Sequence, residues 1–281
     1  MGLGSRMKLG PSRIFISFLL IAAACVGRAQ AISKNDIVSK DPHHKGTISS
    51  LNLGFRYSSV LQNRGVLLYR DFQLDPVVAV FLFDDRLEFL GDSIGYRDFV
   101  FNDQVRLRSR LLSITDKPLF PAYESIWSGM PSRTDTYEWS NRAEFFLPGY
   151  NESYFAEVDL GFAKDLSAHH GYYLDLQAKV KLFEFRIPRS EIKIEPNFYT
   201  SIGWGDAAHN QYFYGPSASA SGFNNLSYGL WFAFIEEADR FYPIVQITHF
   251  QVLGGNKNAE FAINKNEGWL FSFIATYGVL E

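Results

Sequence analysis

Along Gly171–Phe183 the side chains sort by parity. Tyr172, Leu174, Leu176, Ala178, Val180 and Leu182 fall on one side, and Tyr173, Asp175, Gln177, Lys179 and Lys181 on the other. Successive residues of a β-strand point to opposite faces, so this is one strand with an apolar and a charged face. Such a strand suits a soluble sandwich with one face on a core, or a barrel with one face on lipid and the other on a wet lumen.

The same period recurs. Leu51, Leu53, Phe55 and Tyr57 interleave with Asn52, Gly54, Arg56 and Ser58. Gly65–Phe72 and the apolar run Val77–Phe83 follow, then the turn pair Asp84-Asp85, with Arg86–Tyr96 expected to return as the hairpin partner. In Asn102–Ser113, Val105, Leu107 and Leu111 oppose Arg106, Arg108 and Arg110. Each arginine facing lipid would cost about 2–4 kcal/mol at the bilayer midplane, so in a barrel all three face the lumen.

Residues 115–136 carry Pro118, Pro121, Gly129 and Pro131 without a period and read as a long outer loop. Tyr137–Leu147 and Tyr154–Phe162 resume the alternation, the latter setting Glu157 and Asp159 against Ala156, Val158 and Leu160. A polar turn, Asp165–His170, leads into the strand described first. Pro196 interrupts Glu191–Trp204, where a bulge or break is expected because proline lacks a ladder donor. Asp206–Phe223 reads as a short strand or loop. Leu226–Phe234, Tyr242–Leu253 and Gly268–Val279 complete the pattern.

The expected fold is all-β: an antiparallel up-and-down transmembrane β-barrel of about 12 strands (10–12), each roughly 9–13 residues long, with no amphipathic helix. Globular strands average about five or six residues, so strand length argues against the sandwich.

The N-terminus sharpens this. Arg6, Lys8 and Arg13 precede the apolar run Ile14–Val26, and Ala29-Gln30-Ala31 supplies small residues for cleavage. Residues 1–31 are therefore expected to be a signal peptide, 32–46 a flexible periplasmic segment, and 47–281 the barrel. An alternative is lipid attachment at Cys25, the single cysteine, although Ala22 stands where an aliphatic residue is usual. Aromatics make up 16% of the chain, including 26 Phe and 15 Tyr, a surplus that interfacial girdles would absorb. The net charge of −3 gives no reason to expect nucleic acid as a partner.

Chemistry is sparse. His43-His44 lies on the lead-in, His169-His170 in a polar turn, His209 in a loop and His249 in a strand; there is no G-x-S-x-G or H-E-x-x-H. The pair Glu157/Asp159 reads as partners for lumen bases rather than as a catalytic dyad. No enzymatic activity, catalytic residue, metal site or cofactor is expected. The one constellation is a lumen charge network of Arg106, Arg108, Arg110, Glu157, Asp159, Asp175, Lys179 and Lys181, which either plugs the barrel or lines a selective pore.

Four stretches together resemble the MipA/OmpV family: Asp165–Leu182 (DLSAHHGYYLDLQAKVKL), Gly203–Gly215 (GWGDAAHNQYFYG), Gly65–Phe72 (GVLLYRDF) and Tyr242–Val245 (YPIV). The resemblance implies a non-enzymatic barrel in the outer membrane of a Gram-negative bacterium. Its expected partners are outer-membrane lipid, the barrel-assembly machinery, and a murein hydrolase and murein synthase for which it acts as a scaffold. The alternative is a narrow solute channel.

Overall fold

The alternating segments close into a ring. The computed structural model describes residues 48–280 apart from 60, 70–72, 84–85, 91–92, 102–103, 115–134, 149–153, 189, 191, 236–240 and 263–265. The proposed signal peptide, the lead-in with His43 and His44, and nearly all of the 115–136 loop lie outside the described residues.

In chain order, β1 (Ile48–Ser58) is followed by a small hairpin, β2 (Leu61–Asn63) and β3 (Val66–Tyr69). Next come β4 (Gln73–Leu82), β5 (Leu87–Leu90), β6 (Ser93–Val100), β7 (Val105–Ile114) and β8 (Thr136–Pro148). After these follow β9 (Tyr154–Asp165), β10 (Tyr172–Lys181), the two-residue β11 (Phe185–Arg186) and β12 (Lys193–Gly205). Helix α1 (Ala207–Tyr214), β13 (Gly222–Ile235), β14 (Phe241–Val252), a 3-10 segment (Gly254–Asn258) and β15 (Glu267–Leu280) finish it.

Twelve of these strands form a closed antiparallel barrel. β1 pairs with both β4 and β15, and β10 pairs with β12 past the short β11. Closure gives each wall strand a partner on both sides, although the short β5 pairs only Ala79–Leu82 of β4 and Ser93–Tyr96 of β6; a sandwich of such long strands would leave whole edges open. At the β1–β15 seam the backbones approach so closely that a side chain at Gly54 would collide with the Ala275 carbonyl. Outside, Leu53, Phe55, Leu107, Leu111, Leu160, Leu174, Trp269 and Phe271 are exposed. Inside lie the charges: Glu88, Arg97, Arg106, Glu144, Asp159, Lys181 and Glu195 are all buried. The barrel is thus inverted relative to a soluble protein, greasy outside and ionic within.

The strand count matches expectation, but the roster differs. Val66–Tyr69 belongs to the small hairpin instead of the wall, because Arg64-Gly65 makes a two-residue turn there with φ of 50° and 82°. Arg86–Tyr96 is split: Leu87–Leu90 pairs back on β4, and Ser93 onward begins β6. Residues 207–214 form a helix, which strand periodicity could not signal. Asp206 caps it, its carboxylate accepting from the His209 amide at 2.8 Å.

Pro196 sits in an unbroken strand opposite Phe232, and β12's register shift falls at Gly203/Trp204 instead. The proline lies where β10 has just ended, and its carbonyl accepts from Leu182 at 2.9 Å. No β10 ladder bond is demanded of its missing N–H.

The two ends of the barrel differ. The β2–β3 hairpin, the Asp165–Gly171 turn, α1 and the β14–β15 connection all gather at one mouth. The opposite end receives the start of β1, the end of β15 and β11.

Candidate functional site: the charged lumen and its stopper

One wall of the lumen is a ladder. Arg106, Arg108 and Arg110 project inward from β7 at alternate positions, between Glu88 on β5 and Glu144 on β8. Arg106 pairs with Glu144, and Arg110 with Glu88. Arg108 bridges both, its Nε 3.2 Å from Glu88 and its Nη1 2.9 Å from Glu144. Arg97 lies 4.0 Å from Glu88 and stacks on Phe81.

On the next wall, Arg142 from β8 reaches Asp159 at 3.3 Å and Asp175 at 2.7 Å, and donates to Gln177 at 3.2 Å. Gly161 makes room, since a Cβ there would strike the Asp175 carboxylate. Lys179 pairs with Glu157 and faces the Trp231 ring. Lys181 bridges Glu184 and Glu195, each at 2.8 Å. Glu184, outside the strands, is held below the usual carboxylate range: burial opposes this, but Lys181 and Lys193 outweigh it.

All eight charges singled out from the sequence therefore point inward, in four groups. The carboxylates that partner the arginine ladder, Glu88 and Glu144, were not singled out. Each occupies an inward position of its strand, and parity alone marks them once strand boundaries are known. Arg142 was missed in the same way.

The second feature is a stopper in one mouth. Val66 of the hairpin, Phe213 and Tyr214 of α1, Val252, Ala218, Ala259 and Ala262 form a buried apolar cluster. The Tyr214 hydroxyl donates to the Arg64 carbonyl at 2.8 Å, tying helix to hairpin. Arg64 holds a left-handed backbone that a non-glycine residue rarely adopts. Its side chain shows why the position is used. The guanidinium lies 3.5 Å above the Tyr173 ring, and Nη2 donates to both Glu138 oxygens at 3.0 and 2.8 Å. Burial opposes this charge, yet Glu138, Tyr173 and Asp175 hold the guanidinium above its usual pKa.

Two histidines complete the stopper. His209 is stacked on Tyr173 at 4.9 Å and packed on Phe213 at 4.5 Å, and is only 1% exposed. Neither of its ring nitrogens has a hydrogen-bond partner among the described residues. His169 lies 5.4 Å from His209, its Nε2 3.1 Å from the Asp165 carboxylate and its Nδ1 accepting from the Gly171 amide at 3.0 Å. Burial pushes the His169 imidazole down to about 4, with Arg64 adding to the shift and Asp165 opposing it. Burial and Arg64 push His209 well below its ordinary value too. The Asp165 carboxylate accepts from the backbone amides of Ser167, His169 and His170, shaping the turn that presents His169. From the sequence these histidines were a polar turn and a loop; nothing in their spacing of 40 residues announces that they meet.

No family model matches the chain, and no curated protein matches it.

Proposed function

We propose that the protein is an outer-membrane barrel of the MipA/OmpV type that works as a closed scaffold for peptidoglycan-remodelling enzymes. The observation that carries the closed reading is the Arg64–Glu138 stopper at one mouth; the inward charges behind it are paired along the wall, Arg108 with Glu88 and Glu144 and Arg142 with Asp175. A barrel so filled acts through its surfaces rather than its bore. The lipid-facing aromatic and aliphatic exterior supports the membrane location, since each wall strand from β6 to β15 is long enough for a tilted crossing of about 9–11 residues or nearly so.

The test has two parts. Cell fractionation with heat-modifiable gel mobility must place the folded barrel in the outer membrane. The purified barrel must then retain a murein hydrolase or synthase in a pull-down, and give no steady conductance in planar bilayers.

A channel is the second reading, favoured by one observation. The hairpin and α1, which supply most of the stopper, are connections rather than wall strands, so displacing them would break no wall pairing. Steady conductance altered by replacing Arg106, Arg108 and Arg110 with Ala would establish the channel and sink the pure scaffold.

A further inference from the structure

We propose that Glu138, His169 and His209 form a binding site for a divalent transition metal, best suited to Zn2+, that clamps the stopper to the barrel wall. The three residues come from the start of β8, the β9–β10 turn and the first turn of α1. Each offers one ligand atom within 4.8 Å of the other two. Zinc takes nitrogen and carboxylate oxygen at about 2.0–2.2 Å in a tetrahedron, which sets donors roughly 3.3 Å apart. The side chains need close in by only about 1.5 Å to meet that spacing.

The observation that points to a ligand is His209. An imidazole buried with both nitrogens unpartnered is a costly arrangement. Its neighbours Tyr173 and Phe213 present ring faces, which fix the imidazole plane without satisfying either nitrogen. A metal would use one lone pair directly.

The surrounding charge agrees. Glu138, Asp165 and Asp206 carry three negative charges around the histidines, and Arg64 supplies one positive, a surplus that matches a divalent cation. Asp165 sits on His169 as carboxylates do on metal-bound imidazoles, and Arg64 orients Glu138. The competitors are equally definite. His169 must release its Gly171 or Asp165 contact to free a nitrogen, and Arg64 holds its charge close to the site. With two imidazole nitrogens among the three donors, the set favours a nitrogen-seeking metal such as Zn2+ over Ca2+ or Mg2+, which require oxygen cages. Binding would join three segments distant in sequence and fix α1 across the mouth.

The test uses the full chain in detergent with His43→Ala and His44→Ala, which removes the histidine pair of the lead-in, after stripping with EDTA. Calorimetric titration with ZnCl2 should show one ion per chain, with thermal unfolding raised by several degrees. Co2+ should give the visible absorption of a tetrahedral site. His209→Phe, which keeps the ring stacking, should abolish both signals, while His249→Ala on the outer face should retain them. Absence of saturable Zn2+ binding in the background chain overturns the inference, whether or not any variant folds. Binding unchanged by His209→Phe also overturns it.

Discussion

Arg64 and Glu138 stand 74 residues apart in the chain, and a single guanidinium nitrogen bonds both oxygens of the carboxylate. The pair joins a hairpin that is not part of the wall to the start of a strand that is. Removing one partner leaves a buried charge uncompensated, which costs about 3–5 kcal/mol. Arg64→Met is therefore expected to lower the urea midpoint of the stopper's unfolding, followed by tryptophan fluorescence or protease access at the mouth. Glu138→Gln should do the same, and the double variant should recover part of the loss. Additive losses in that cycle would show that the pair does not act as a unit.

The arginine ladder makes a prediction about charge. Two carboxylates, Glu88 and Glu144, face four guanidiniums: Arg97, Arg106, Arg108 and Arg110. Neutralising both in Glu88→Gln/Glu144→Gln exposes the basic wall, whose mutual repulsion should loosen the network. In planar bilayers this variant should show new anion-selective conductance, and the unmodified barrel should show little. Arg108→Ala removes the bridging guanidinium and should shift any leak toward cations. Identical selectivity in the two variants would count against a ladder-controlled lumen.

Acidity should weaken the stopper. A histidine near 6.5 in the unfolded chain and about 4 in the fold takes up its proton mainly when unfolded between those values. The unfolded chain then binds more protons, so stability is complete above about pH 6.5 and declines as pH falls toward 4. Below that the His169 contribution is spent. His209 acts in the same direction, because burial disfavours its charged form and Arg64 and His169 add to that. Proteolysis of the α1 segment, measured from pH 7 to pH 4 in EDTA, should rise across this window. His169→Gln with His209→Phe should flatten the profile, and an unchanged slope would refute the assignment.

The wall was legible in the sequence wherever parity was clean. Val105–Leu111 and Leu174–Lys181 could be assigned face by face because polar and apolar residues alternate there, Ser109 alone departing from the pattern. Legibility ended where structure depends on the mouth. Val66–Tyr69 has strand chemistry, but the Arg64-Gly65 turn folds it back on three residues of β2 before it can reach the wall. The helix at Ala207–Tyr214 rests on the Asp206 cap and on burial of Phe213 and Tyr214 against segments more than 30 residues away, which no local period encodes. The histidine cluster is hidden for the same reason: it forms where the neighbouring strands β8, β9, β10 and β12 end together at one mouth, which no local spacing encodes.

The strand read first gives the most direct test of the membrane placement. Leu176 faces outward between Leu160 and Ile202, and Gln177 faces inward, accepting from Arg142 at 3.2 Å. Adjacent residues thus meet opposite solvents, and one substitution at each compares them within a single strand. Leu176→Lys puts an unpaired ammonium in hydrocarbon at a cost of about 2–4 kcal/mol near the midplane. Gln177→Lys places the same ammonium on the inner face, directly opposite Asp159, at little cost. The first should reduce the heat-modifiable folded fraction in cells several-fold, and the second should leave it near that of the unsubstituted chain. Equal tolerance at both positions would mean that the apolar face does not contact lipid.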